Sequence, residues 1–258
     1  MKWMCDVCGL VLDERPDTCP RCNAPSSVYV PYVEREKLLD EATRGAELLL
    51  INASNHKAHN TAQLLGISEE VAKRMNADHK VFHLRDYNLE HCWCCYSVEQ
   101  ELCDLPCQNQ GDDMHFFHNL VLGCKAMIIA TPIIWNNMPS RLKVFLDRLT
   151  CIQNQTLLHD KVPCANKVLG IIVNGHEDGA YRTAANAWDV MRDMGFVLAP
   201  YGLSYRTHGG SYTSQSDLEF FKNDELARKN IENMTENLIR MMRLDLPKLL
   251  PDVKPSCM

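Results

Sequence analysis

Residues 125–149, KAMIIATPIIWNNMPSRLKVFLDRL, decide the fold because an apolar strand, a loop and an amphipathic helix follow one another there. The run KAMIIATP predicts a buried β-strand. The helix after the loop has Pro139 in its first turn, where proline is well tolerated. Its apolar residues share one helical face: Leu142, Phe145, Leu146 and Leu149. A strand that leads into a covering helix is the repeating element of a parallel sheet.

The same alternation of strand and helix extends through the chain from residue 46 onward. Four more apolar runs predict strands: AELLLINAS (46–54), KVFHL (80–84), KVLGIIVNG (167–175) and FVLAP (196–200). We expect Asn60 to cap the helix after the first of them, and Gly195 to end the helix before the last. Five strands with crossover helices predict an α/β fold with a doubly wound parallel sheet. Its ligand is expected at the carboxyl ends of the strands.

The chain divides into four regions and one insertion. Residues 1–30 are too few to fold by burial alone, so we expect this module to need a bound metal. Residues 31–45 mix proline, charge and little apolar sequence, which predicts a linker. Residues 46–245 form the main domain, with a cysteine-rich insertion at 91–110. Residues 246–258 contain several prolines and predict a loose tail.

The composition excludes several classes of function. The 258 residues include 27 basic and 33 acidic side chains, so a formal net charge of -6 gives no positive field to hold nucleic acid. No stretch approaches the roughly 18 apolar residues that span a bilayer, and the N-terminus has no apolar signal run. We therefore expect a cytoplasmic protein with no membrane or nucleic-acid partner. The 13 cysteines then indicate metal ligands or redox groups rather than disulfides.

Four of these cysteines form two Cys-x-x-Cys pairs in the stretch CDVCGLVLDERPDTCPRC (5–22). The pairs are Cys5 with Cys8 and Cys19 with Cys22. They place four thiolates on two short turns that can close around one metal ion tetrahedrally. Zinc is the default ion for such a site, whereas iron would make it redox active.

Five further cysteines lie in the stretch HCWCCYSVEQELCDLPCQNQGDDM (91–114). They are Cys92, Cys94, Cys95, Cys103 and Cys107. Core packing does not explain so many cysteines on one loop in a reducing compartment. Thiolates this close together bind soft metals or iron–sulfur clusters. A zinc site, a redox-active thiol site and unliganded cysteines are the alternatives.

Two predicted loops at the carboxyl ends of strands offer groups suited to a cofactor. The loop NASNHKAHNT (52–61) leads into a helix N-terminus, where a phosphate binds favourably. Its polar side chains are Ser54, Asn55, Asn60 and Thr61. An ordinary capped loop is the alternative, because neither a Walker sequence nor a Gly-x-Gly-x-x-Gly sequence is present. In the loop after KAMIIATP, Trp135 either presents a flat face to an aromatic ring system or packs in the core.

The stretches SNHKAHNTAQLL (54–65) and ATPIIWNNMPSRLKVFLDRL (130–149) resemble the phosphate loop and the isoalloxazine loop of the flavodoxin-like FMN reductases. The resemblance covers roughly residues 46–205 and implies a flavodoxin-like fold with FMN, rather than FAD, as cofactor. It implies that the phosphate is held by Ser54, Asn60 and Thr61. It implies that the flavin is flanked by Thr131, Pro132, Ile133, Trp135, Asn136 and Asn137. The stretch NGHEDGA (174–180) resembles the third flavin loop and adds Asn174, Gly175, His176 and Gly179.

The cysteine-rich insertion resembles the compact motif of the iron–sulfur flavoproteins, which also precedes an Asp-Asp-Met sequence like that at 112–114. This resemblance implies a 4Fe-4S cluster. The family motif Cys-x-x-Cys-x-x-Cys would place a cysteine at position 98, which is Val98 here. Four ligands can still be supplied by Cys92, Cys95, Cys103 and Cys107, with Cys94 as a substitute. Because adjacent side chains point apart, Cys94 and Cys95 are not expected to serve one cluster together.

The stretch WMCDVCGLVLDERPDTCPRCNAPSSVY (3–29) resembles the rubredoxin-like domain of the rubrerythrins, including Gly9, Pro20 and the Ala24-Pro25 pair. The resemblance favours mononuclear iron over structural zinc at Cys5, Cys8, Cys19 and Cys22. Iron in four thiolates carries one electron while its ligands stay in place. The module would then serve as an electron port beside a flavin.

Together these resemblances imply a multi-centre flavin oxidoreductase. Electrons would enter from a redox partner protein or NAD(P)H, pass through the iron centres and FMN, and leave to a small-molecule acceptor. A homodimer or homotetramer is expected by resemblance alone. Two alternatives stay open: an NAD(P)H-dependent FMN or quinone reductase without a cluster, and a non-catalytic zinc-binding sensor module.

Overall fold

The N-terminal module is a small antiparallel sheet in the computed structural model, which describes residues 2–5, 10–32, 45–176, 179–207, 219–220, 222–244 and 246–254. Its strands are β1 (Trp3–Cys5), β2 (Val11–Leu12) and β3 (Tyr29–Pro31). Strand β1 lies between the other two. Cys5, Cys19 and Tyr29 form its small buried core. The predicted ligand Cys8 and most of the predicted linker lie outside the described residues.

A five-stranded parallel sheet forms the centre of the main domain. Its strands are β4 (Leu48–Asn52), β5 (His79–His83), β6 (Ala126–Pro132), β7 (Val168–Gly175) and β8 (Val197–Thr207). Their order across the sheet is β5-β4-β6-β7-β8, and every neighbouring pair is parallel. The predicted doubly wound sheet is therefore confirmed. The direction of winding reverses beside β4, so the carboxyl ends of β4 and β6 border the crevice where such sheets bind ligands.

Helices cover both faces of the sheet. They are α1 (Asn60–Arg74), α2 (Met114–Gly123), α3 (Ser140–Asp147), α4 (Thr150–Gln153), α5 (Gln155–His159), α6 (Ala180–Asp193), α7 (Glu225–Met242) and α8 (Leu246–Leu249). On one face, Phe117 of α2, Phe145 of α3 and Met191 of α6 belong to one buried cluster. On the other face, Leu64 of α1 and Leu238 of α7 belong to a second cluster. Each such fully buried side chain contributes about 1.5–3 kcal/mol to folding.

Some element boundaries differ from the sequence predictions. Helix α1 begins at Asn60, so the predicted cap is wrong by one residue, and the side chain of His59 at the cap position makes no capping hydrogen bond. Helix α3 starts one residue after Pro139. Part of the tail that was expected to be loose forms α8, where Leu246 is buried.

Strand β8 is longer than the apolar run FVLAP that predicted it. Its pairing with β7 shifts register between Leu169 and Ile171, and Ile171 then pairs with Leu203. Tyr201 has a φ of 57° inside this irregular stretch. The bulge takes up the extra residues, which allows the strand to resume after the apolar run has ended.

A hydrogen bond connects the N-terminal module to the main domain close to the predicted metal site. Arg85 lies two residues after β5, and its guanidinium donates to the sulfur of Met4 over 3.7 Å. Met4 precedes the predicted ligand Cys5 in β1. Among the described residues, no helix combines the length and the apolar character that crossing a membrane requires.

Candidate cofactor sites

Three predicted cofactor loops meet at the carboxyl edge of the sheet, and Asn174 at the end of β7 connects them. Thr61 Oγ1, in the first turn of α1, donates to Asn174 Oδ1 over 2.8 Å. The backbone N–H of Ile133, after β6, donates to the carbonyl oxygen of Asn174 over 3.0 Å. Thr61 and Asn174 are both buried. The structure thus brings together residues from all three predicted loops.

The first loop is organised by Asn52, the last residue of β4, which the sequence analysis did not identify. Its Oδ1 accepts from the backbone N–H of Ser54 over 2.9 Å, and its Nδ2 donates to the carbonyl oxygen of His56 over 3.0 Å. Ser54 is buried and its Oγ accepts from the N–H of His56 over 3.0 Å, whereas Asn55 is exposed. Asn52 is a polar residue in an otherwise apolar strand, and this was the signal that could have identified it.

The N-terminus of α1 retains groups that suit an anion. Asn60 Oδ1 is buried and has no hydrogen-bond partner among the described residues. A side-chain amide can turn to present its N–H₂ group instead. The side chain of the N-cap residue His59 makes no capping hydrogen bond, so the backbone N–H groups of the first turn keep their positive partial charge. This end of the helix therefore fits a bound phosphate.

The second loop contains a tight turn at Ile134–Asn137 that exposes Trp135. The N–H of Ile134 donates to the Asn137 carbonyl over 2.7 Å, and the reverse bond measures 3.0 Å. Trp135 and Asn136, the two central residues, have φ angles of 48° and 60°, as a type I′ turn requires. Trp135 is 94% exposed, so the alternative that it packs in the core is wrong. A tryptophan in this conformation costs about 1–2 kcal/mol, which is a feature expected at a functional site.

The third loop packs tightly against the second through two glycines. Gly179 has a φ of 83°, and a Cβ there would lie 2.6 Å from the backbone of Asn136. A Cβ on Gly175 would lie 2.7 Å from the side chain of Ile133. Only glycine permits these approaches. The two residues between His176 and Gly179 lie outside the described residues.

The remaining predicted flavin residues differ in their access to this crevice. Thr131 is buried in β6, and its Oγ1 donates to the carbonyl oxygen of Pro132 over 3.1 Å. Asn137 is exposed, and its Oδ1 accepts from the N–H of Met138 over 2.8 Å and from Asn186 Nδ2 over 3.1 Å. Asn137 thus fixes the end of the turn, while Thr131 supports the strand beneath it.

The cysteine-rich insertion folds around one small cavity. Four of its five cysteines line this cavity: Cys92, Cys95, Cys103 and Cys107. Cys94 does not line it; this residue is exposed and has a φ of 53°. The four cavity-lining residues are the preferred set from the sequence, and their role as ligands stays a prediction.

A fifth thiol in the cavity comes from outside the insertion. Cys151, in α4, is buried and lines the same cavity. Its Sγ lies 3.5 Å from His118 Nε2, and a hydrogen bond with its thiol lowers the pKa of Cys107. No spacing in the sequence links Cys151 to residues 92–107, so its place in the cavity was not predicted. Only the packing of α4 under the insertion brings it there.

The thiols of this cavity have unequal pKa values. A hydrogen bond with Cys151, the backbone N–H of Asn109 and the charge of Arg148 lower the pKa of Cys107 to about 5 against the opposing effect of burial. Burial raises the pKa of Cys103 to about 12, and the neighbouring Cys95 adds to the shift. Cys107 is therefore the thiol best prepared to serve as a thiolate.

A buried ion pair lies directly beside the cavity. Arg148, after α3, places Nη1 at 2.6 Å from Asp112 Oδ2 and Nη2 at 3.2 Å from Asp112 Oδ1. Both side chains are fully buried. In the sequence, these two residues are notable only as parts of family motifs. Only the fold shows that they form an ion pair beside the insertion.

The N-terminal cysteines are much closer together. Cys5 Sγ lies 3.6 Å from Cys22 Sγ, and the sulfurs of Cys5, Cys19 and Cys22 are all within 4.8 Å of one another. Tetrahedral coordination with metal–sulfur bonds of about 2.3 Å separates sulfurs by about 3.8 Å, so these positions fit one metal ion. Burial raises the pKa of Cys19, but hydrogen bonds from Tyr29 and from the backbone of Arg21 and Cys22 outweigh it and lower the pKa to about 6.

In the part of the chain that the structure describes, no other group of three or more ligand atoms is this compact. The cysteines of the insertion form no such compact group among the described residues, although four of them line one cavity. A polynuclear cluster does not need such a group, because each of its irons takes a separate thiolate. The two cysteine sites therefore fit different kinds of metal centre.

Comparisons with known proteins match the N-terminal module and the main domain separately. The family model described as NADPH-dependent FMN reductase matches residues 46–208, more than half of the chain. The model described as rubrerythrin, rubredoxin-like domain matches residues 3–29. The chain therefore belongs to the NADPH-dependent FMN reductase family and carries an N-terminal rubredoxin-like domain.

Three curated relatives match part of this chain. An 8-demethyl-8-aminoriboflavin-5'-phosphate synthase of Streptomyces davaonensis is 29% identical over 45% of this chain and 47% of its own length. An iron-sulfur flavoprotein of Archaeoglobus fulgidus is 29% identical over 40% of this chain and 48% of its own. One of Methanosarcina thermophila is 25% identical over 57% of this chain and 74% of its own. The chain thus spans about half the length of the first two relatives.

A solved structure shows the same fold. The crystal structure of RosB with bound 8-demethyl-8-formylriboflavin-5'-phosphate aligns over 80% of this chain and 82% of that one, with a TM-score of 0.64 and 20% identity. At this identity the similarity shows the fold alone. The main domain is flavodoxin-like, as the resemblance implied.

Proposed function

We propose that this protein is an FMN-dependent oxidoreductase that passes electrons between a reduced carrier and a small acceptor through a rubredoxin-like iron centre, a 4Fe-4S cluster and FMN. One observation carries the proposal: a single segment connects the two main-domain sites. The turn at Trp135 borders the flavin crevice, and the helix that follows ends at Asp147, which lines the cysteine cavity together with Arg148. Electron transfer needs cofactors that are held close together. A segment that runs from the flavin crevice to the cysteine cavity supports electron transfer between them.

The crevice at the sheet edge would hold FMN. The N-terminus of α1, with Ser54, Asn60 and Thr61, fits the single phosphate. The turn at Trp135 and the close approach of Gly179 would border the ring system. When bound, FMN takes up one or two electrons and so connects one-electron and two-electron carriers. The Thr61–Asn174 hydrogen bond keeps the phosphate loop and the third loop in register.

The cavity in the insertion would hold the cluster on Cys92, Cys95, Cys103 and Cys107. Their common cavity supports this ligand set over one that includes Cys94. The names of the Archaeoglobus and Methanosarcina relatives, both iron-sulfur flavoproteins, support an iron–sulfur centre. In the N-terminal module, the described sulfurs fit one ion, and the rubredoxin-like match supports iron there.

The electron donor is a redox partner protein or NAD(P)H. The match to an NADPH-dependent family supports the nicotinamide, whereas a one-electron iron port favours a protein partner. A homodimer or homotetramer would complete the exposed edge of the crevice around Trp135.

Anaerobic purification followed by analysis of iron, acid-labile sulfide, zinc and flavin tests this function. We expect one FMN, about five irons and about four sulfides in each chain. Reduction with NADPH, and separately with a one-electron reductant, then identifies the donor class. Zinc at both sites with no flavin would contradict the proposal. FMN without iron or sulfide in the main domain would instead support a flavin reductase without a cluster.

A further inference from the structure

The guanidinium of Arg148 contacts both ends of the cysteine-rich insertion. Nη1 donates to the carbonyl oxygen of Glu90 over 2.9 Å, just before the first cysteine. Nη2 donates to the carbonyl oxygen of Asn109 over 2.7 Å, just after the last. The side chain is fully buried, so water does not compete for these donors. Arg148 therefore closes the insertion at its base.

Asp112 completes this closure from the other side of the ion pair. Its Oδ2 accepts from the backbone N–H of Glu90 over 2.7 Å, and its Oδ1 accepts from that of Met114 over 3.1 Å. With the two bonds to Arg148, its oxygens are fully used. The pair works as a unit, because the planar fork of an arginine matches a carboxylate and two carbonyls at once, which a lysine cannot do.

Two further contacts converge on the sulfur of Cys107. Arg148 Nη2 lies 3.8 Å from Cys107 Sγ. Cys151 of α4 lines the same cavity, and a hydrogen bond with its thiol lowers the pKa of Cys107. Cys151 Sγ also lies 3.5 Å from His118 Nε2 and 3.6 Å from the Arg148 carbonyl oxygen. That oxygen already accepts from His118 Nε2 over 2.7 Å, so the single S–H of Cys151 can be donated to Cys107 instead. Among the cavity thiols, Cys107 is thus the one whose sulfur has both the Arg148 guanidinium and the Cys151 thiol as hydrogen-bond partners.

We propose that Arg148 and Cys151 are positioning residues that support Cys107, hold the insertion closed, and raise the reduction potential of the cluster by hydrogen bonding to that sulfur. Cys151 acts as a donor and not as a fifth ligand. The inference rests on the proposed function, because it assumes a cluster in this cavity. Hydrogen bonds to a ligand sulfur stabilise the extra negative charge of the reduced cluster and so raise its potential.

The potential is tested with matched variants of the full-length, cluster-loaded protein. Arg148→Met combined with Asp112→Asn removes the guanidinium without leaving an unpaired carboxylate. Cys151→Ala removes the thiol, whereas Cys151→Ser keeps a donor. Arg192→Met, at an exposed position of α6, is the control. Iron and sulfide are counted first, and the midpoint potential of the cluster is then measured by redox titration.

We expect all variants to keep the iron and sulfide content of the wild type. The potential should become more negative in the Arg148 double variant and in Cys151→Ala, and stay unchanged in Cys151→Ser and Arg192→Met. A wild-type potential in both the Arg148 double variant and Cys151→Ala would overturn the inference. Loss of iron from Cys151→Ala would also overturn it, since Cys151 would then be a ligand. If the double variant does not fold, the two Cys151 variants decide the outcome.

A second readout separates this inference from the proposed function. Alkylation of Cys107 by iodoacetamide is followed by mass spectrometry in the protein as purified, whatever metal it contains. Arg148→Lys should react about tenfold faster than the wild type, because the insertion opens more often. An unchanged rate would contradict the positioning role. Absence of iron and sulfide from the wild type would instead contradict the proposed cluster and leave the alkylation test valid.

Discussion

The two cysteine sites of this chain are assembled in different ways. In the N-terminal module, three predicted ligand sulfurs lie mutually within 4.8 Å, on a tight turn and a short strand. In the main domain, cysteines of the insertion share a cavity with Cys151 of α4, and a buried Arg148–Asp112 pair closes the base. The first site depends on local geometry and on the metal that we propose for it. The second depends on how the main domain packs around it.

This difference predicts that damage to the first site stays local. Cys5→Ser with Cys22→Ser should remove the mononuclear metal and unfold the module, since metal binding supplies about 10 kcal/mol or more to such small domains. The main domain has its own sheet and two buried clusters, so its FMN content should not change. Metal analysis, limited proteolysis and flavin absorbance check the three outcomes. Loss of FMN in this variant would show that the two regions form one interdependent unit.

At the second site, substitutions of two adjacent cysteines should have different effects. Cys95 lines the cavity and Cys94 is exposed. We expect Cys95→Ser to lose the cluster, because one iron would lack its thiolate. Cys94→Ser is the matched control and should keep full iron and sulfide. Anaerobic iron and sulfide counts give the answer, and the reverse pattern would show that Cys94 is the ligand.

The phosphate loop offers a third test that leaves both cysteine sites intact. Thr61→Glu places a carboxylate beside the expected phosphate, and like charges at such a site cost several kcal/mol. The Kd for FMN should therefore rise by about 100-fold or more, measured by flavin fluorescence on reconstitution. Gln63→Glu adds the same charge two residues further along α1 and should have a much smaller effect. Equal effects of the two variants would remove Thr61 from the phosphate site.

A smaller effect is expected from two glycines in contrasting positions. Gly179→Ala meets both a positive φ of 83° and the backbone of Asn136 at 2.6 Å, so it should destabilise the main domain by about 2 kcal/mol. Gly66 lies in the interior of α1, and a Cβ added there would have no contacting atom within 4 Å. Gly66→Ala should therefore stabilise the main domain by about 0.5–1 kcal/mol. Urea unfolding measures both. A tolerated Gly179→Ala would show that the second and third loops do not need their close approach.

The sheet and its ligand edge could be predicted because strand runs and parallel topology are local signals. Apolar runs placed all five strands, and the topology then fixed that their following loops meet. The bulge in β8 was not predictable in this way. Its apolar run ends at Pro200, while the strand resumes through pairing of Leu203 with Ile171, a contact set by the neighbouring strand.

The cofactor residues divide along the same physical line. Polar loops and clustered cysteines were visible in the sequence, whereas Arg148 and Cys151 act through partners far along the chain. The bonds of Arg148, for example, join it to residues 36 to 58 positions earlier. The sequence left open whether Trp135 presents a face to a ring system or packs in the core. Its left-handed turn, fixed by Asn137 and by the close approach of Gly179, leaves it exposed.

The central claim is that one chain holds a single-iron site and a polynuclear cluster of different construction. Mössbauer spectroscopy of anaerobically purified, ⁵⁷Fe-enriched protein, combined with a count of acid-labile sulfide, tests it most directly. We predict two iron populations in a ratio of about one to four, with sulfide matching the larger. The larger population should disappear in Cys95→Ser and remain in Cys94→Ser. A single iron population without sulfide would contradict the account.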